Sequence, residues 1–219
     1  MCLSGTEKLP AAIDFYLKAV DVMPEGRNPV FSSMIYSHLG DCYSEQDLNK
    51  IALSMYEKAH TLCVGWDSLR TCYNLKNIGN AFLLERQWDS AYYYYQQALP
   101  IAFSLNHSGL LSAIYKNMAT IYNEQNKFVD ADTCISRALD YLSEGEGYTA
   151  ACSIKGDIMD KMNKKDSAAY YWSIGAGSSN AYVKTSSYHS LFLESKRMKD
   201  WESSTLYADS CLLYTSDAA

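Results

Sequence analysis

Proline and glycine are scarce in this sequence, with four and eleven residues among 219. So few breakers favour long helices over many tight turns. No apolar run approaches the roughly 20 residues needed to span a bilayer. The first eight residues carry neither a basic stretch nor an apolar one, so they do not read as a secretory signal. Positive charge is also short: 19 Lys and Arg stand against 25 Asp and Glu, a net charge of −6. That balance argues against direct nucleic-acid binding and against a grip on anionic lipid, since both need a basic surface. The seven cysteines form no CxxC pair and no regular framework, and are expected as mostly buried free thiols that behave as small hydrophobes. The four histidines stand apart. Only His38 has a candidate partner four residues on, Cys42, so no metal site is expected. Gly175 to Ser179 lacks the preceding strand and following lysine of a phosphate loop. No Ser/His/Asp or Cys/His spacing argues for catalysis. Neither an enzyme activity, a metal nor a cofactor is therefore expected.

What the chain does have is a set of columns that recur in step. Small residues fall at Gly40, Gly79, Ala119 and Gly156, at spacings of 39, 40 and 37. Twelve positions later come Ala52, Ala91, Ala131 and Ala168, and seven further on Ala59, Ala98, Ala138 and Gly175. Between them lie Tyr56, Tyr95, Ile135 and Trp172. Shared increments across independent columns mean that one supersecondary unit was copied, and such units stack into a solenoid. Each unit reads as two antiparallel helices joined by a short polar link: Gln46-Asp47, Arg86-Gln87, Asn126-Lys127 or Asn163-Lys164. Longer polar joints separate the pairs, near 24–28, 106–109, 143–147 and 175–180. A Gly or Ala on the first helix allows close approach of the second, and the aromatic column is expected to fill the space between one pair and the next. In Tyr92-Tyr93-Tyr94-Tyr95, the first and last residues are expected at the helix seam, with Tyr93 and Tyr94 pointing elsewhere.

The patterns Leu39-Gly40-x2-Tyr43 with Ala52-x3-Tyr56-x2-Ala59, Ile78-Gly79-x2-Phe82 with Ala91-x3-Tyr95-x2-Ala98, and Met118-Ala119-x2-Tyr122 with Ala131-x3-Ile135-x2-Ala138 resemble the tetratricopeptide repeat. The unit beginning near Thr149 fits more weakly, and the one from Tyr188 to Tyr207 loosely, its register open by one residue. The period of 37 to 40 exceeds the ~34 residues usual for the family. Such extended versions resemble the repeats of kinesin light chains and of bacterial regulators, with the Tyr- and Asn-rich Bacteroidetes type the nearer likeness. The resemblance implies an all-α, right-handed α-solenoid over residues 1–210, with about four complete helix pairs and partial units at each end. Ala12, Tyr16 and Ala19 match the second-helix columns of a unit whose first helix would precede the chain. The closing stretch from Cys211 to Ala219 resembles the translation of a transposase sequencing adaptor and is expected to be a non-native tail.

The resemblance also implies a use. The first helix of each pair would line a concave groove that binds a protein or peptide. The groove positions would be Ser37, His38 and Asp41; Tyr73, Lys76, Asn77 and Asn80; Lys116, Asn117 and Thr120; and Ser153, Asp157 and Asp160. Tyr73, Lys76, Asn77, Asn80, Lys116, Asn117 and Thr120 are the principal candidates, weighed against a plain solvated polar face. Lys76, Asn80 and Asn117 match three positions of the carboxylate clamp of chaperone-binding members. Ala150 and Ile154 stand where that clamp needs basic residues, which sets this chain apart. Asp157 and Asp160 share a helix face and are expected to be solvated. The alternative reading is the sensor portion of a longer signalling or transcriptional regulator, which would place a membrane or DNA-binding segment beyond residue 210.

Overall fold

A computed structural model describes the backbone of residues 5–22 and 28–216, and the side chains within 9–22 and 28–211. Eleven helices and no strand occur among the described residues. They are α1 (Gly5–Val22), α2 (Pro29–Ser44), α3 (Asn49–Cys63), α4 (Ser68–Leu84), α5 (Trp88–Ser104), α6 (Ser108–Glu124), α7 (Phe128–Asp140), α8 (Glu146–Lys161), α9 (Lys165–Gly175), α10 (Ala181–Arg197) and α11 (Trp201–Ser216). No helix of the described residues is long and apolar enough to cross a membrane. Two compact units divide the chain after His107. The first holds α1 and the pairs α2/α3 and α4/α5; the second holds α6/α7, α8/α9 and α10/α11. Each is a short α-solenoid of stacked helix pairs. The expected joint near 24–28 lies mostly outside the described residues, as do the last three residues of the expected tail.

Two local devices set the pairs. The first is a left-handed residue at every link inside a pair: Asp47, Arg86, Asn126, Asn163 and Lys199 all have φ between 56° and 60°. The residue after each donates its N–H back across the helix end, as Leu48 does to the Tyr43 carbonyl at 3.0 Å and Gln87 to Phe82 at 2.9 Å. This closes the last turn, satisfies a carbonyl that would otherwise be orphaned, and lets the second helix start at once. The second device is a side-chain cap at the start of three first helices. Asn28, Asp67 and Asn180 accept the N–H of Phe31, Arg70 and Val183 at 3.0, 2.9 and 3.1 Å.

The core sits where the repeating columns meet. Ala52, Ala91, Ala131 and Ala168 are fully buried, as are Ala59, Ala98 and Ala138. The glycines have a more specific reason than close approach of two backbones. A Cβ on Gly40 would lie 2.5 Å from the Tyr56 ring, on Gly79 2.6 Å from Tyr95, and on Gly156 2.4 Å from Trp172. Each aromatic therefore lies against the glycine of its own pair, and Tyr56 also joins Ile78 and Ala81 of the next pair in one cluster. Each also donates its polar tip to the residue after that glycine. Tyr56 Oη donates to Asp41 Oδ1 at 2.9 Å, Tyr95 Oη to Asn80 Oδ1 at 2.8 Å, and Trp172 Nε1 to Asp157 Oδ1 at 2.8 Å. Where Ile135 replaces the aromatic, all three parts change together. The small residue becomes Ala119, and the next, Thr120, turns its hydroxyl to the Lys116 carbonyl at 3.2 Å. A narrower side chain leaves room for one methyl and needs no acceptor.

Three further points refine the sequence reading. Tyr94 also turns inward, stacking on Phe82 at 5.5 Å with 12° between ring planes and packing against the Ala52, Tyr56, Ile78 and Ala81 cluster. The second helix is thus gripped on two flanks, by its own partner and by the preceding pair. Gly175 stands in an alanine column because Ser187 Oγ donates to Ser153 Oγ at 3.0 Å directly above it, 2.4 Å from where a Cβ would be. In the last pair, Lys199 fixes the open register. It puts Phe192 in the small column, buried Ser204 in the alanine column and Ala208 in the aromatic one, a reversal of sizes. The helix α1 packs on α2, and Tyr16 stacks on His38 at 5.6 Å. Cys63, Cys72 and Cys152 are fully buried free thiols; Cys42, Cys134 and Cys211 are half-buried, and Cys2 lies outside the described residues.

Candidate functional site

In the first unit α2 and α4 stand side by side and enclose a cleft of about 370 Å³. On α2, Ser37, His38 and Asp41 line it, together with Ser33 and Met34 one turn earlier. On α4, Tyr73, Lys76 and Asn77 line it, and Arg70 and Asn74 join them. The missed residues were legible in principle, because Ser33 and Ser37, and Arg70 and Asn74, lie four apart on one helix face.

The cleft floor is held by hydrogen bonds between the helices. Asn74 Nδ2 donates to Ser33 Oγ at 3.1 Å, and Asn77 Nδ2 donates to Asp41 Oδ1 at 3.4 Å. Asp41 is a hub. It also accepts from Tyr56, and His38 Nδ1 stands 3.6 Å from its other oxygen. Burial first, then the Asp41 charge, push the Tyr56 phenol well above its ordinary range, so it remains a donor. The cations of the cleft sit higher on its wall. Arg70 faces Asp67 at 3.3 Å, with a buried Nε that meets no hydrogen-bond acceptor. Lys76 Nζ lies over the Tyr73 ring, 5.8 Å from its centre. Tyr73 is itself steadied edge-on against His107, with its hydroxyl 3.5 Å from Nε2. Asn80 lies a turn beyond Lys76, and its side-chain oxygen is engaged by Tyr95.

The remaining candidates belong to the second unit. Lys116, Asn117 and Thr120 are half-buried on α6. Burial lowers the Lys116 ammonium below its usual range. Ser153, Asp157 and Asp160 lie on α8, and none is simply solvated. Ser153 is bonded to Ser187, Asp157 to Trp172, and Asp160 is paired with Lys165. Among the described residues, no cluster of three or more His, Cys, Asp or Glu is arranged to hold a metal ion.

Repeating helix pairs whose first helices line a polar cleft are the architecture of a repeat solenoid. Residues 31–102 match the tetratricopeptide repeat model, and the pairs beyond that span keep the same columns. Over that span the chain carries the tetratricopeptide repeat. No curated protein sequence matches it. Solved structures share the fold at low identity. BtubC (BKLC) from P. vanneervenii is 14% identical with a TM-score of 0.74, over 99% of this chain and 93% of that one. A Rap protein complexed with Competence and Sporulation Factor is 14% identical with a TM-score of 0.74, over 99% of this chain and 67% of that one. YrrB, described as a TPR protein with an unusual peptide-binding site, is 14% identical with a TM-score of 0.54, over 92% and 93%.

Proposed function

We propose that this protein is a non-catalytic scaffold that binds a protein or peptide segment along the first helices of its pairs. The contacts come from Tyr73, Lys76, Asn77 and Asn80 in the first unit and from Lys116, Asn117 and Thr120 in the second. The observation that carries this reading is the cleft between α2 and α4. Its asparagines are fixed by bonds across the helices, so little side-chain freedom is lost on binding. It is lined by one carboxylate, Asp41, and by two cations, Lys76 and the Asp67-paired Arg70. The cleft thus favours an acidic segment although the whole chain is acidic. YrrB and the Rap protein, described with a peptide-binding site and in complex with a factor, support the same use of the fold.

Fluorescence polarisation with a labelled Glu-rich decapeptide tests the reading. The Lys76→Ala, Lys116→Ala double variant is expected to bind it several-fold more weakly with unchanged helicity, and a Lys-rich control peptide should bind neither protein in that groove. Equal affinity of both proteins for the acidic peptide would remove these lysines from the site.

A further inference from the structure

The α2/α4 cleft holds one side chain whose charge is set by the medium. Imidazole is the side-chain group that ordinarily changes charge between about pH 5 and 8. His38 is the one histidine among the residues that line the cleft. Its side chain and that of Asp41 are each about half exposed, at 50% and 48%, so a proton reaches it from water without any opening of the fold. Three helices set its surroundings. On its own helix, one turn on, Asp41 Oδ2 stands 3.6 Å from Nδ1. On α1, the Tyr16 ring stacks on the imidazole, with centres 5.6 Å apart and planes 23° apart. On the α4 side of the cleft stand the Lys76 ammonium, the Tyr73 phenol and the Arg70 guanidinium, itself paired with Asp67. Asp41 and the Tyr16 π face favour an imidazolium, whereas Lys76 and Arg70 oppose it.

Asp41 is held in place for this encounter. Its Oδ1 accepts from Tyr56 at 2.9 Å and from Asn77 at 3.4 Å, and both of those donors are neutral. With His38 neutral, the Asp41 charge is therefore uncompensated from that side and repels an acidic ligand. With His38 protonated, the two form an ion pair, and the cleft changes from two cations against one carboxylate to three. An acidic ligand in turn answers the Lys76 and Arg70 charges that oppose the proton. Ligand and proton thus favour one another, and the coupling is reciprocal. We propose that His38 is a pH-sensing residue of this cleft, its protonation pairing it with Asp41 and raising the affinity for an acidic segment. This regulation rests on the cleft being an acidic-segment site. It adds that the segment is held in an acidified medium and released as pH rises toward 8.

The test uses the whole chain and the Glu-rich decapeptide, carrying a pH-insensitive label, at pH 5.5 and pH 8 and constant ionic strength. Glutamate ordinarily titrates near pH 4.3, so the peptide stays largely ionised at both values. One added charge at a water-exposed site is expected to tighten binding about fivefold at pH 5.5 relative to pH 8. In His38→Gln, which is polar but takes up no proton, that ratio is expected to fall to about one. A ratio that persists in His38→Gln assigns the effect to another group, such as His107 beside Tyr73, and overturns the proposal. A second measurement needs no variant. The His38 ring-proton signal, identified in NMR spectra by its proximity to the Tyr16 ring, is followed against pH with and without saturating peptide. The peptide is expected to move this titration upward by the same factor, as linkage requires. Equal affinity at both pH values, or a titration that the peptide leaves in place, overturns the pH coupling while the acidic-segment reading stands. No binding at either pH overturns both.

Discussion

The ring-on-glycine arrangement makes a quantitative prediction at Gly79. In an ordinary exposed helix, Gly→Ala gains about 1 kcal/mol of helix stability. At Gly79 the new methyl would lie 2.6 Å from Tyr95 Cε1, about 0.8 Å short of ordinary contact. The obstructing atoms belong to a ring that is wholly buried and tied at its far end to Asn80 at 2.8 Å, so it has nowhere to move. Overpacking of a buried site costs about 1–3 kcal/mol, so, after the helix gain, Gly79→Ala should destabilise the first unit by up to roughly 2 kcal/mol net. The neighbouring repeat supplies the control, because there Ala119 coexists with Ile135 and Thr120. In a Tyr95→Ile background the same Gly79→Ala change should be neutral or should stabilise by up to about 1 kcal/mol. The coupling between the two sites is thus about 1–3 kcal/mol, well above the few tenths expected of independent positions. Urea titrations followed by circular dichroism would measure all four proteins, with the slopes checked for constancy. If Gly79→Ala costs the same in both backgrounds, or stabilises the parent, the ring does not lie where the glycine requires it.

Two other perturbations follow from the same geometry. Lys199 adopts a left-handed conformation with φ of 60°, at a position where three other links and joints use Asn106, Asn126 and Asn163. Lys199→Gly should therefore stabilise the last pair by about 1 kcal/mol in thermal unfolding, since the left-handed conformation costs an ordinary residue about that much. Asp157 titrates higher in the folded protein than in the unfolded chain. The native state thus holds its proton more tightly, and stability from this group is gained as pH falls through the folded value and lost as pH rises through it. Asp157→Asn should be the more stable protein at pH 7, and its advantage should fade toward pH 4. An advantage that persisted on acidification would mean that the carboxylate is not desolvated.

Much of the fold was legible because its determinants are periodic. The helix pairs and the links at Asp47, Arg86, Asn126 and Asn163 follow from columns that any packed hairpin of helices must keep. The partners of those columns were not legible. Nothing in the spacing alone says that Gly40 makes room for Tyr56, or that Asp41 exists to accept its hydroxyl. That relation appears only when Ala119, Thr120 and Ile135 are seen to depart together. The candidate site was half legible for the same reason. The structure brings His38, Asp41, Tyr73, Lys76 and Asn77 together along one cleft. Asn80 and Asp157 also accept from the Tyr95 and Trp172 rings, a role that their place on the helix face does not reveal. The pairing of Asp160 with Lys165 joins residues on opposite sides of a link. It depends on the turn made at Asn163, which residue types on one helix face do not reveal.

From the glycine to the last alanine column, every contact that sets a hairpin's geometry lies within about twenty residues, and those intervals never vary. The differences among 39, 40 and 37 fall wholly in the segments joining one hairpin to the next. Heredity can therefore shuffle or duplicate whole hairpins at such junctions, as cassettes, and change which side chains a groove displays without rewriting the rules that fold it.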